Sequence, residues 1–172
     1  MTEPHAPTPA PSAAPLPATP RNIAAYLRAV RELMTEATTL RRSWIRQVGV
    51  LILDARAKPP EMVAPGAAHC GTEQRELFTG IRVRLGEIPV PRGCDVCHEA
   101  FIAWLEKQIG ACDLLIEIGR TGEITTLKTV QRVLADSRTD TAAFNAAYTA
   151  LVEGLKQQVN VRKKTRLLFG RR

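Results

Sequence analysis

From Ile23 to Ile52 an apolar side chain returns every three or four residues: Ile23, Tyr26, Leu27, Val30, Leu33, Met34, Ala37, Leu40, Trp44, Val48, Leu51 and Ile52. A helix of 3.6 residues per turn gathers such positions on one face, whereas a strand, with its period of two, scatters them. Asn22 is a suitable N-cap, and the helix must stop before Lys58-Pro59-Pro60, because a residue preceding proline avoids the α region. A helix of roughly 35 residues is about 50 Å long, which is long for a small domain. It either kinks near Gly49 or pairs its stripe with another chain.

The rest of the chain also reads as helix. Residues 58–70 (KPPEMVAPGAAHC) are expected to form a loop. Residues 72–90 are two-valued: Leu77, Phe78, Ile81 and Leu85 fit a helix face, and Ile81, Val83 and Leu85 fit a strand. With no partner strand elsewhere, helix to about 85 is favoured, then an extended stretch through Pro89 and Pro91. A third helix runs from Cys94 or Asp95 to Ile118, with Gly119 as the residue past its end and Phe101, Leu105, Ile109, Cys112 and Ile116 inward. A short helix capped by Thr125 or Thr126 ends at Ala135, an SRTD turn follows, and Asp140 caps a last helix over 141–160. The predicted fold class is all-α, a four- to five-helix bundle with one long N-terminal helix.

The two ends differ from this body. Residues 1–20 hold seven of the twelve prolines and five alanines. Such a segment lacks backbone donors and core-forming side chains, so a disordered Pro/Ala-rich arm is expected. It has neither the basic region nor the continuous apolar stretch of a secretory signal, which points to the cytoplasm, and no apolar run approaches the ~18 residues of a membrane span. Of the net charge of +7, residues 21–161 carry only +2 (18 Lys/Arg against 16 Asp/Glu), while the tail 161–172 holds six cations and no acid. Arg162, Lys163, Lys164, Arg166, Arg171 and Arg172, with Arg41, Arg42 and Arg46 around Trp44, are therefore the candidate anion or nucleic-acid contacts. A helix-turn-helix is disfavoured, because residues 139–155 contain no Lys or Arg to meet a phosphate backbone.

The local cluster capable of chemistry is Cys94-Asp95-Val96-Cys97-His98. On a helix its three soft donors share one turn, and Cys70, brought back by the 86–93 segment, would complete a Cys3His zinc site. Inert buried thiols and a Cys94/Cys97 redox pair are the competing readings. The string also matches the c-type haem pattern C-x-x-C-H, but attachment usually occurs outside the cytoplasm, and an axial ligand would have to come from Met34, Met62, His5 or His69. Phosphate loops, H-E-x-x-H and a nucleophile elbow are all missing. The expected function is thus a non-enzymatic interaction or regulatory module with a protein partner or a second copy. The alternatives are a nucleic-acid accessory protein using the basic tail and a metal or redox sensor using the CxxCH cluster.

Overall fold

The computed structural model describes residues 16–169, with side chains to Val161. Four helices fill this span: α1 Pro20–Ala57, α2 Pro60–Gly86, α3 Asp95–Thr121 and α4 Leu127–Phe169, the last preceded by a 3-10 turn at Ile124–Thr126. No strand occurs among the described residues, and none of their helices is long and apolar enough to cross a membrane. The arm expected over residues 1–15 and the cations Arg171 and Arg172 lie outside the described residues.

The long first helix is present and starts slightly early. Thr19 Oγ1, not Asn22, accepts the capping bond, from the Asn22 N–H at 3.2 Å, and Pro20 takes the first helical position, where its missing N–H costs nothing. Residues 16–19, expected to belong to the free arm, are tied down: the Arg92 N–H donates to the Leu16 carbonyl at 2.9 Å, and Asn22 Nδ2 to the Pro17 carbonyl at 3.0 Å. α1 passes Gly49 as continuous helix and buries Ile23, Tyr26, Leu27, Val30, Leu33, Ala37, Trp44, Val48 and Leu51 within its own chain.

Residues 60–70 correct the sequence reading: they are helix, not loop. Pro60 stands at the helix start, where proline is tolerated, and Pro65 is carried inside at the cost of one backbone bond. Tertiary packing offsets that cost. Ala64, Ala67, Ala68 and Gly71 let α2 lie almost backbone to backbone on α3, so that a methyl on Gly71 would stand 2.7 Å from the Cys112 carbonyl oxygen. Gly119, read from sequence as the terminator of α3, is the matching small residue, facing Ala64 and Ala68. The terminator is Gly122, at φ +72°, whose N–H bonds the Ile118 carbonyl at 2.8 Å.

The SRTD turn is also overturned, since α4 is continuous. Ser, Thr and Asp favour turns because their side chains compete for the backbone, but here Ser137 and Asp140 are held in ways that keep the helix. Ser137 is fully buried, with its hydroxyl on the Leu134 carbonyl at 2.8 Å. Thr141 Oγ1 donates to the Ser137 carbonyl at 3.1 Å, and Asp140 pairs with Lys107 of α3 at 2.6 Å.

The helices run up-down-up-down. Glu36–Arg84 aligns α1 with α2, Arg75–Asp113 and Arg82–Glu106 align α2 with α3, Lys107–Asp140 aligns α3 with α4, and the Tyr148 hydroxyl on the Leu27 carbonyl (3.4 Å) aligns α4 with α1. The α2–α3 seam is the most intimate and the α1–α4 seam the most open. An aromatic chain crosses the core from Trp44 to Phe78 (5.4 Å) to Trp104 (6.3 Å) to Phe101 (6.1 Å) to Phe144 (5.3 Å). Each buried phenyl contributes about 1.5–3 kcal/mol through area removed from water.

Candidate functional site

Charge is unevenly divided among the helices. α1 carries seven cations against three acids, α2 is balanced at three and three, and α3 has two against five. α4 has eight against three, but over residues 127–155, which pack in the bundle, it is balanced at three and three; its excess is Lys156 and the four cations of 162–166. Within the near-neutral body the contrast is therefore between α1, at +4, and α3, at −3.

The apolar stripe of α1 turns inward, which leaves its opposite face to solvent. That face presents Arg28, Arg31, Arg42 and Arg46, all exposed. Between α1 and α4 lies a groove of about 320 Å³ whose walls include Arg31, Thr35, Thr38, Arg42, Asn145 and Tyr148. Neither Arg31 nor Arg42 pairs with a carboxylate among the described residues. The threonine hydroxyls are turned back onto their own helix, Thr35 to the Arg31 carbonyl at 2.8 Å and Thr38 to Met34 Sδ at 3.6 Å. Such bonds are weak, so one side-chain rotation offers each hydroxyl to a ligand. Farther along α4, Arg138 flanks the same seam and adds to the field around Arg41.

Of the arginines singled out from the sequence, Arg42 and Arg46 are on this surface and Arg41 is not. Arg41 is half-buried and spends its donors inside, on Gln108 Oε1 (3.2 Å), the Leu134 carbonyl (3.3 Å) and Ser137 Oγ (3.4 Å). Burial, and then the neighbouring Arg138, lower its pKa. It ties α1 to α3 and α4 and is no ligand contact. Arg162, Lys163, Lys164 and Arg166 stand on helical backbone, since α4 runs to Phe169. Because Tyr148 is level with Leu27, residues 156–169 continue beyond the start of α1, a projection of about 21 Å. Lys156 to Val161 are exposed throughout.

The cysteines fall into two stations. Cys94 and Cys97, 0% and 1% exposed, open α3 beside Tyr26 and His98. Cys70 is not with them. The helix that replaces the expected loop carries it to Gln47, whose Oε1 accepts from the Cys70 thiol at 3.6 Å, and to Cys112. Cys112 stands about 22 Å along α3 from Cys97. The expected set Cys70, Cys94, Cys97 and His98 is therefore not gathered, and no three His, Cys, Asp or Glu among the described residues form a metal-ligand group. Burial raises every thiol's pKa, that of Cys97 to about 11. The same cause, with Arg82 nearby, lowers that of His98.

Sequence reasoning missed Arg28, Arg31, Arg138, Asn145 and Tyr26. A signal existed for the first two: Arg28, Arg31, Arg42 and Arg46 fall opposite the apolar stripe when plotted at 100° per residue. Arg138 and Asn145 had none, because the segment had been read as a turn and a separate helix.

The fold and this surface define an antiparallel four-helix bundle with a row of exposed arginines on α1. No protein-family model matches the chain, and no curated protein or solved structure is found similar to it.

Proposed function

We propose that this protein is a non-enzymatic binding module whose working surface is the α1–α4 side and whose partner is a nucleic acid held by its phosphates. The observation that carries the reading is the row of exposed arginines on α1, Arg28, Arg31, Arg42 and Arg46, of which Arg31 and Arg42 wall the α1–α4 groove without a carboxylate partner among the described residues. The strip is long rather than converged: Arg28 to Arg46 spans about 27 Å of α1, and the projecting end of α4 extends it. A linear polyanion matches that shape better than a small phosphorylated molecule. Arginine forks and threonine hydroxyls grip phosphate without reading bases, so binding is expected to be weakly sequence-dependent and steeply salt-dependent.

The test is fluorescence anisotropy with labelled single- and double-stranded oligonucleotides across a salt series. The expected slope of log K against log salt is about −0.7 to −0.9 per phosphate contacted. Arg31→Glu with Arg42→Glu, or ending the chain at Val161, should weaken binding at least tenfold and flatten the slope. Absence of binding to either probe at low salt defeats the reading, as does binding indifferent to both changes.

A further inference from the structure

At the other end of the bundle, two thiols share one turn. The His98 N–H bonds the Cys94 carbonyl at 3.0 Å, which makes residues 94–98 the first closed turn of α3. Positions three apart on such a turn hold their Cβ atoms about 5–6 Å from each other on one face. Both side chains are sealed from water. Against Cys97 lies Tyr26 of α1, 2% exposed, whose hydroxyl makes no well-formed hydrogen bond and has the Cys97 sulfur as its neighbour. A buried hydroxyl left with a weak acceptor is costly. A neutral thiol is a poor acceptor for it, and a thiolate sulfur is a good one.

We propose that Cys94 and Cys97 together bind a single two-coordinate thiophilic ion, Cu(I), with the Tyr26 hydroxyl donating to the Cys97 sulfur of the loaded site. The exchange balances without oxidation: one Cu(I) enters, both thiols lose their protons to water, and two sulfur–copper bonds form. The product carries one net negative charge. The positive N-terminal end of α3, which Cys94 caps, meets that charge. A coordinating ion deprotonates the thiols it binds. Zinc asks for four ligands, and no third protein ligand is gathered among the described residues. Soft sulfur at low coordination number selects Cu(I). A cleft of about 430 Å³ between α1 and the end of α2 reaches Tyr26, the neighbour of Cys97.

The experiment titrates the reduced, full-length protein with Cu(I) under anaerobic conditions against bathocuproine disulfonate, a Cu(I)-specific chelator. The expected result is one Cu(I) per chain, with X-ray absorption reading two sulfur neighbours. Cys94→Ser and Cys97→Ser should each abolish uptake with far-UV circular dichroism unchanged, and Cys112→Ser should keep it. Tyr26→Phe should keep the stoichiometry but bind about tenfold more weakly, as the loss of an outer-sphere hydrogen bond does. Should either serine variant unfold, the sulfur count on wild-type protein still decides. Failure to draw copper from the chelator overturns the proposal. So do full uptake by a folded Cys97→Ser protein, a spectrum dominated by nitrogen or oxygen donors, and one Zn(II) per chain retained against a zinc chelator.

Discussion

Gly71 and Gly110 lie on facing helices and make opposite demands. A methyl at Gly71 would stand 2.7 Å from the Cys112 carbonyl oxygen and 2.9 Å from the Ile116 nitrogen, both rigid backbone, whereas one at Gly110 meets nothing within 4 Å. Gly71→Ala should therefore destabilise by about 1–3 kcal/mol through overpacking. Gly110→Ala should stabilise by about 0.5–1 kcal/mol, because alanine loses less backbone entropy in a helix. Urea titrations of the two variants against wild type read both signs. Cys112, at the same seam, sets a pH dependence. Burial first, then the neighbouring Cys70 and Asp113, raise its pKa above the ordinary thiol value. The folded state thus holds a proton that the unfolded state releases earlier. Its contribution is complete below the unfolded thiol pKa and is lost as pH rises from about 9 towards the folded value. Cys112→Ala lowers stability by leaving a cavity, but its urea midpoint should fall less between pH ~8 and pH ~10 than that of wild type. Equal slopes would show that this thiol is not what alkali attacks.

At the scale of elements, α2 and α4 show where local signals lose to packing. Pro65 withholds a backbone bond inside α2 and is exposed, so its ring contributes little to the core. Pro65→Ala should raise stability by about 1–3 kcal/mol, the part of the interior-proline penalty that the first turns of a helix still carry. A fall in melting temperature would mean that the proline positions the α1–α2 link. The Lys58-Pro59-Pro60 signal was legible because proline excludes the α region from its predecessor in any context. The Pro65-Gly66 signal misled because the seam with α3, between Ala64, Ala68 and Gly119, requires this stretch to be straight. In α4 the turn-forming side chains of Ser137 and Asp140 are engaged by Arg41 and Lys107, which lie more than thirty positions away in sequence.

Across the whole molecule, the +7 net charge becomes informative only when the helices are arranged. Salt should act on binding far more than on folding. The six ion pairs among the described residues join partners that are mostly exposed, and such pairs contribute at most about 1 kcal/mol each. The unpaired arginines of α1, by contrast, are free to release counterions to a polyanion. Tail removal and Arg31→Glu/Arg42→Glu should accordingly leave the melting temperature within a few degrees of wild type while binding falls. A large drop in melting temperature would assign these residues to the fold instead.

The sequence by itself determined the all-α class, the inward faces of α1 and α3, the proline stop after α1 and the sharing of one turn by Cys94 and Cys97. Each follows from a spacing or a backbone restriction that acts within a few residues. Only the tertiary structure decided that 60–70 is helix, that α4 is unbroken, that Arg41 turns inward, that Cys70 goes to Cys112 and that Arg31 and Arg42 wall the α1–α4 groove. Those outcomes depend on groups far apart in the chain, and an interaction between them has no energy until the intervening helices have brought them into contact.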